Sequence, residues 1–144
     1  MFKYIILVLV AAFIIIQFFR IDKTNPTYNE SEDFITITKP SDEVKNILVT
    51  ACYDCHSYKT EYPWYSNVAP ASWFLAEHIE DGRRHLNFSI WGTYPADKAA
   101  HKLEEVADEV EEGEMPLSSY TIMHGDAKLT DAQKEALVSW VKSL

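Results

Sequence analysis

The sequence predicts an all-α fold: a small helical domain behind an apolar N-terminal segment. Three observations carry this prediction. Apolar residues recur at three- and four-residue spacing near residues 42–56, 97–112 and 131–144. Helix punctuation bounds those stretches, with Ser41 as an N-cap, Gly113 as a stop, and Thr130-Asp131-Ala132-Gln133 as a capping box. No stretch alternates apolar and polar residues as a half-buried strand would.

Tyr4 to Phe19 is a run of 16 uncharged residues flanked by Lys3 and Arg20. At about 1.5 Å per residue it falls slightly short of a bilayer core of roughly 30 Å, a shortfall that snorkelling by Lys3 and Arg20 makes up. The rival reading is a cleaved signal peptide. No small-x-small site follows the run, which ends in Phe-Phe-Arg. Residues 1–21 are therefore expected to be an uncleaved, single-pass transmembrane helix. Either reading places the remainder outside the cytoplasm, facing the periplasm or the cell exterior. Residues 22–40, polar and carrying Pro26 and Pro40, read as a tether in which Phe34, Ile35 and Ile37 either pack locally or form a short extended piece.

The folded domain is expected over 41–144. Its first helix opens with Asp42 and Glu43 at its positive end and then carries Val44, Ile47, Leu48 and Ala51 on one face. Cys52 and Cys55 extend that face to a helix end near His56. Residues 57–70, with Pro63 and Pro70, read as an ordered loop. A short helix over 71–80 should point Phe74, Leu75 and Ile79 inward, and the stretch 81–95 reads as irregular because of Gly82, Gly92 and Pro95. A helix over 97–112 turns Ala99, Leu103, Val106 and Val110 inward. A loop follows, and the last helix sends Leu137, Trp140, Val141 and Leu144 to the core. Trp64, Tyr65, Trp73, Trp91 and Trp140 are expected in the core and the walls of a ligand pocket.

The chain of 144 residues has two cysteines, and both sit in Cys52-Tyr53-Asp54-Cys55-His56. A disulfide there closes so small a loop that it stabilises little, and it leaves His56 unexplained. A redox dithiol needs its first thiol at a helix N-terminus, whereas these thiols follow a helix. A closed zinc site needs a fourth ligand that the sequence does not offer nearby. Covalent haem attachment uses all three residues. The two thiols add to the porphyrin vinyl groups and His56 becomes the axial iron ligand.

Met115 is the leading candidate for the second axial position. It lies just past Gly113 and is followed by Pro116, which stiffens the backbone. Met123, His124 and His78 remain alternatives, as does an iron left open on that side. His101 shares a face with acidic residues and reads as solvated; His85 reads as structural or exposed. Arg83 and Arg84 are candidates either for haem propionates, since a guanidinium fork suits a carboxylate, or for ordinary surface ion pairs.

The attachment motif, together with "YPWYSNVAPASW", "GRRHLNFSIW", "EMPLSSY" and "LTDAQKEALVSWVKSL", resembles the bacterial haem-binding domain family related to small cytochromes c. The resemblance covers residues 41–144. It implies a cytochrome c-like helical domain whose first and last helices cross, one covalent haem c on Cys52 and Cys55, His56 as proximal ligand and Met115 as distal ligand. The function expected is membrane-tethered electron transport by a monohaem c-type cytochrome, a carrier and not a catalyst. The alternative is a peroxidase-like haem enzyme or a gas or redox sensor with an open distal site. A formal net charge of −9 without basic clusters excludes nucleic acid as a partner. The seven acidic residues of 104–114 read as a solvated face or as a docking patch for a basic redox partner.

Overall fold

The computed structural model describes residues 2–144, which form α-helices and short 3-10 turns and, among the described residues, no strand. The all-α expectation holds. The helices are α1 (Phe2–Ile16), α2 (Phe34–Thr38), α3 (Asp42–Ala51), α4 (Tyr53–His56), α5 (Ala71–His85), α6 (Ala96–Glu112), α7 (Ser118–Met123) and α8 (Asp131–Val141).

Local chemistry explains the boundaries. Ser41 accepts from Val44 N–H and starts α3, as expected. Thr130 and Gln133 cap α8 reciprocally. Gly113 ends α6 in the left-handed region at φ 79°, a conformation that costs glycine nothing. The final helix packs on both α6 and α3, so the first and last helices of the domain are in contact. Leu48 and Leu137 are fully buried, with Ile47, Val138 and Val141 beside them, whereas Leu144 is exposed and lies outside the core.

The domain begins earlier than Ser41. Phe34, in the segment read as a tether, is buried at the heart of the core. Its ring stacks on Phe88 with centroids 4.9 Å apart and meets Trp91 and Trp140 edge-on. Asp33 caps α2 through Ile35 N–H, accepts the Tyr53 hydroxyl at 3.0 Å and pairs with Lys59 at 3.1 Å. Burial, then the charge of Asp33, pushes the Tyr53 phenol well above its ordinary value.

Three further expectations are corrected. The helix expected to run through the cysteines breaks at Cys52, whose φ of −125° starts a separate turn, α4, and Tyr53 on that turn is buried. The short helix over 71–80 extends to His85, through Gly82. Phe74, expected inside, is exposed, and so are Trp64 and Trp73.

At the N-terminus α1 buries none of its side chains. It ends at Ile16, because Gln17, Phe18 and Phe19 leave the helix in tighter turns. The helix is 15 residues long, about 22 Å at 1.5 Å per residue. Among the described residues no helix is long and apolar enough to cross a membrane, so the transmembrane helix expected over residues 1–21 finds no support in the length of α1.

Phe34→Ala should lower unfolding free energy by about 3–5 kcal/mol in a denaturant titration, the cost of an aromatic cavity in a packed core. Were 22–40 a tether, the midpoint would not move.

Candidate functional site

The break at Cys52 and the close approach of α5 to α4 shape a cavity of about 450 Å³, a size that takes an organic ligand. Cys52, Cys55 and His56 line it from α4 and its entry. His78, Gly82 and His85 line it from α5, Lys102, Glu105 and Val106 from α6, and Met115, Pro116 and Leu117 from the loop before α7. Phe88 and Tyr120 are its aromatic walls. None of the tryptophans expected there takes part.

Both cysteines are free thiols. Burial pushes Cys52 up to about 12 and Cys55 up to about 11, with the neighbouring Cys55 and Asp54 charges adding to the effect. Thiols held so high are the opposite of a reactive redox pair, whose thiolate must form near neutral pH. Among the described residues no three His, Cys, Asp or Glu side chains converge as a closed metal site requires.

His56 is fixed in one tautomer. Its Nδ1 lies 3.0 Å from Gly82 O and 3.1 Å from Leu86 O. Carbonyl oxygens can only accept, so Nδ1 carries the proton and Nε2 keeps its lone pair. Burial lowers the pKa of the imidazole and outweighs the two carbonyl bonds, which act to raise it. The side chain is thus a neutral imidazole with a free Nε2, the state a metal ligand requires, and the backbone carbonyl partner is the usual orienting group.

Gly82 makes this possible. A Cβ on Gly82 would sit 2.6 Å from Cys55 O, inside any allowed contact. Only glycine lets α5 bring its carbonyl to His56, and so the residue that reads as a helix breaker is a close-packing point within α5.

Candidates for the opposite side of the cavity are sorted by position. Met115 lines it and packs against the core. Its N–H donates to Glu109 O at 3.0 Å, which folds the loop back over the end of α6 after the Gly113 turn. Met123 is exposed and does not line the cavity. His124 is held elsewhere, its Nε2 2.7 Å from the Tyr65 hydroxyl and its ring stacked on Tyr120. His78 lines the cavity, its Nδ1 2.7 Å from Phe74 O. His85 is exposed, as expected, and its side of α5 also lines the cavity; His101 is exposed beside Glu105, as expected.

Arg83 does not reach the cavity. Its Nε donates to Ser57 O at 2.7 Å, its Nη2 to Asn25 Oδ1 and Thr60 Oγ1, and its guanidinium lies over the Tyr58 ring. It ties the chain after His56 to the N-terminal segment, so the propionate contact expected of it is not what its bonds serve. Lys102 is the one lysine or arginine lining the cavity among the described residues. Arg84 pairs with Asp81 on the surface.

Sequence reasoning missed two residues that assemble the site. Asp54, inside the Cys-x-x-Cys turn, accepts the Tyr120 hydroxyl at 2.7 Å and Glu61 N–H at 2.8 Å. That bond joins the thiol turn to α7, the element carrying on from Met115. Asn87 is buried and receives Ser89 N–H, which starts the 3-10 turn over 88–93 and aims Phe88 inward. Ser89 then accepts Tyr58 N–H just past His56. The Asn-Phe-Ser segment is therefore scaffolding for the turn that carries Cys52, Cys55 and His56.

The family model described as haem-binding domain matches residues 11–143. Neither a curated protein nor a solved structure matches the chain significantly.

Gly82→Ala should destabilise the domain by about 1–3 kcal/mol, the usual cost of overpacking. Denaturant unfolding measures it. A variant as stable as the parent would show that α5 does not need its close contact with Cys55.

Proposed function

Because the chain belongs to the haem-binding domain family, we propose that it holds one haem covalently through Cys52 and Cys55 and transfers single electrons as a membrane-tethered c-type cytochrome. The observation that carries this reading is one cavity lined by both thiols, by an imidazole with its Nε2 left free, and by the Met115 thioether.

The residues present fit the group. The thiols are unpaired and three positions apart on one short turn, His56 follows directly, and the apolar walls of Val106, Leu117 and Leu86 suit a flat macrocycle. A bound haem would supply a one-electron iron couple. His56 would hold the iron through Nε2, its ring fixed at the other nitrogen by Gly82 O and Leu86 O. Met115 would offer its thioether from a loop pinned by Glu109 O. A His/Met pair favours a raised potential. A propionate would meet Lys102, the lysine in the cavity wall, only by competing with Glu105 for its Nζ.

The apolar segment ending at Phe19 tethers the domain to the cytoplasmic membrane, with the haem domain on the extracytoplasmic side where c-type attachment occurs. The acidic run of 104–114 would meet a basic redox partner, an encounter that complementary charge accelerates. The competing reading, an open distal position serving an enzyme or sensor, is favoured by His78 and His85 lining the same cavity.

Protein made with the haem-attachment machinery should carry the mass of one haem, and Cys52→Ala/Cys55→Ala should carry none. In Met115→Ala the long-wavelength band of a thioether-ligated ferric iron should vanish, the potential should fall, and carbon monoxide should bind the reduced form rapidly. An unchanged low-spin spectrum in Met115→Ala would remove that ligand. Rapid carbon monoxide binding by the parent protein would favour the open site.

A further inference from the structure

The end of α1 is bolted to the domain. The Gln17 side chain makes a paired contact with the Ala69 backbone, its Nε2 donating to Ala69 O at 3.0 Å and its Oε1 accepting Ala69 N–H at 2.9 Å. The Trp73 indole N–H donates to Phe19 O at 2.8 Å. Lys23 Nζ donates to Asn67 Oδ1 at 2.6 Å. Three bonded points within seven residues fix the helix to the 3-10 turn over 64–67 and to the start of α5.

Those two elements carry the large aromatic side chains that the core leaves out. Trp64 is 71% exposed and Phe74 65%, with Trp73 partly exposed between the bonded points. Phe18 and Phe19 at the end of the apolar segment are exposed as well. The only polar atom of the Trp73 side chain is already bonded to Phe19 O, so the ring offers carbon to its surroundings. Arg20 and Lys23 place positive charge at the same level of the chain.

From this geometry we propose that the aromatic collar of Phe18, Phe19, Trp64, Trp73 and Phe74 is a lipid-binding surface that seats the domain in the membrane interface. The inference rests on the membrane tether of the preceding section. Its occupant is the bilayer, for two reasons. The collar is continuous with a helix that buries none of its apolar side chains. That helix, at about 22 Å, is also shorter than a hydrocarbon core of roughly 30 Å. A domain sunk to its aromatic rim supplies the missing thickness. Tryptophan at the headgroup level with arginine and lysine beside it is the usual composition of such a rim.

The test uses the full, haem-loaded chain, labelled with fluorotryptophan, in nanodiscs of phosphatidylcholine with a minority of phosphatidylglycerol. Fluorine spectra are compared with and without lipid bearing a nitroxide near the headgroup, so that broadening by the haem cancels. Trp64→Phe and Trp73→Phe assign the signals. The Trp64 and Trp73 resonances should broaden strongly while that of buried Trp91 keeps its intensity, which also reports an intact fold. If the chain enters the discs and neither resonance broadens, the collar is overturned and the tether stands. If the chain does not enter the discs at all, the tether falls and the collar with it. Resonances insensitive to lipid that shift with protein concentration would assign the patch to a second copy of the chain and overturn the proposal.

Discussion

The contact between Gly82 and the turn carrying Cys52, Cys55 and His56 is the constraint on which the rest of the site depends. One glycine meets three demands. Its missing Cβ leaves room for Cys55 O, its carbonyl takes the Nδ1 proton of His56, and its helical conformation lets α5 continue unbroken to His85. Each depends on the others. Were α5 to move away by the width of a methyl group, His56 would lose one of its two backbone acceptors. Leu86 O alone would then hold the Nδ1 proton, and the cavity wall formed by α5 would shift with it.

The opposite side of the cavity is held by a different kind of bond. Tyr120 reaches from α7 to Asp54, so the loop carrying Met115 is anchored to the turn carrying the thiols. Burial, with the Asp54 carboxylate behind it, raises the Tyr120 phenol and keeps it a donor through the neutral range. Between these two attachments, one through a carbonyl and one through a carboxylate, the thiols, the imidazole and the thioether are positioned by α4, α5 and α7. Of those elements α4 and α7 are single short turns, and each is fixed by a polar contact to its neighbour.

How much of this could be read from residues alone follows from the range of the signals. The helices α6 and α8 announce themselves, because amphipathic spacing sustained over three turns or more and an explicit cap or stop are local properties. The attachment motif is equally local. Phe34 is not. It stands in a five-residue helix between polar neighbours, too short for periodicity, and its importance comes from Phe88, Trp91 and Trp140 far along the chain. Gly82 carries two meanings, breaker and close contact, and only the position of Cys55 O decides between them. The exposed Trp64, Trp73 and Phe74 invert the presumption that large aromatic residues belong inside. The Arg83 fork does clasp oxygen acceptors, as its chemistry suggested, but they belong to the protein's own backbone and side chains.

That last point changes the mechanical relation between the N-terminal segment and the domain. A polar tether over 22–40 would let the domain tumble relative to α1. Instead the segment is laced down along its length: Gln17 to Ala69, Lys23 to Asn67, Asn25 to Thr60 O and to Arg83, and Asp33 to Tyr53 and Lys59. A chain so fixed transmits the direction of α1 to the domain. Electron transfer through a small carrier depends on which face meets the partner. On the reading proposed above, a domain with a fixed attitude at a surface presents its cavity and the acidic face of α6 in one orientation, so an approaching partner need search only in the plane. The lacing thereby replaces the rotational search that a flexible tether would leave to diffusion.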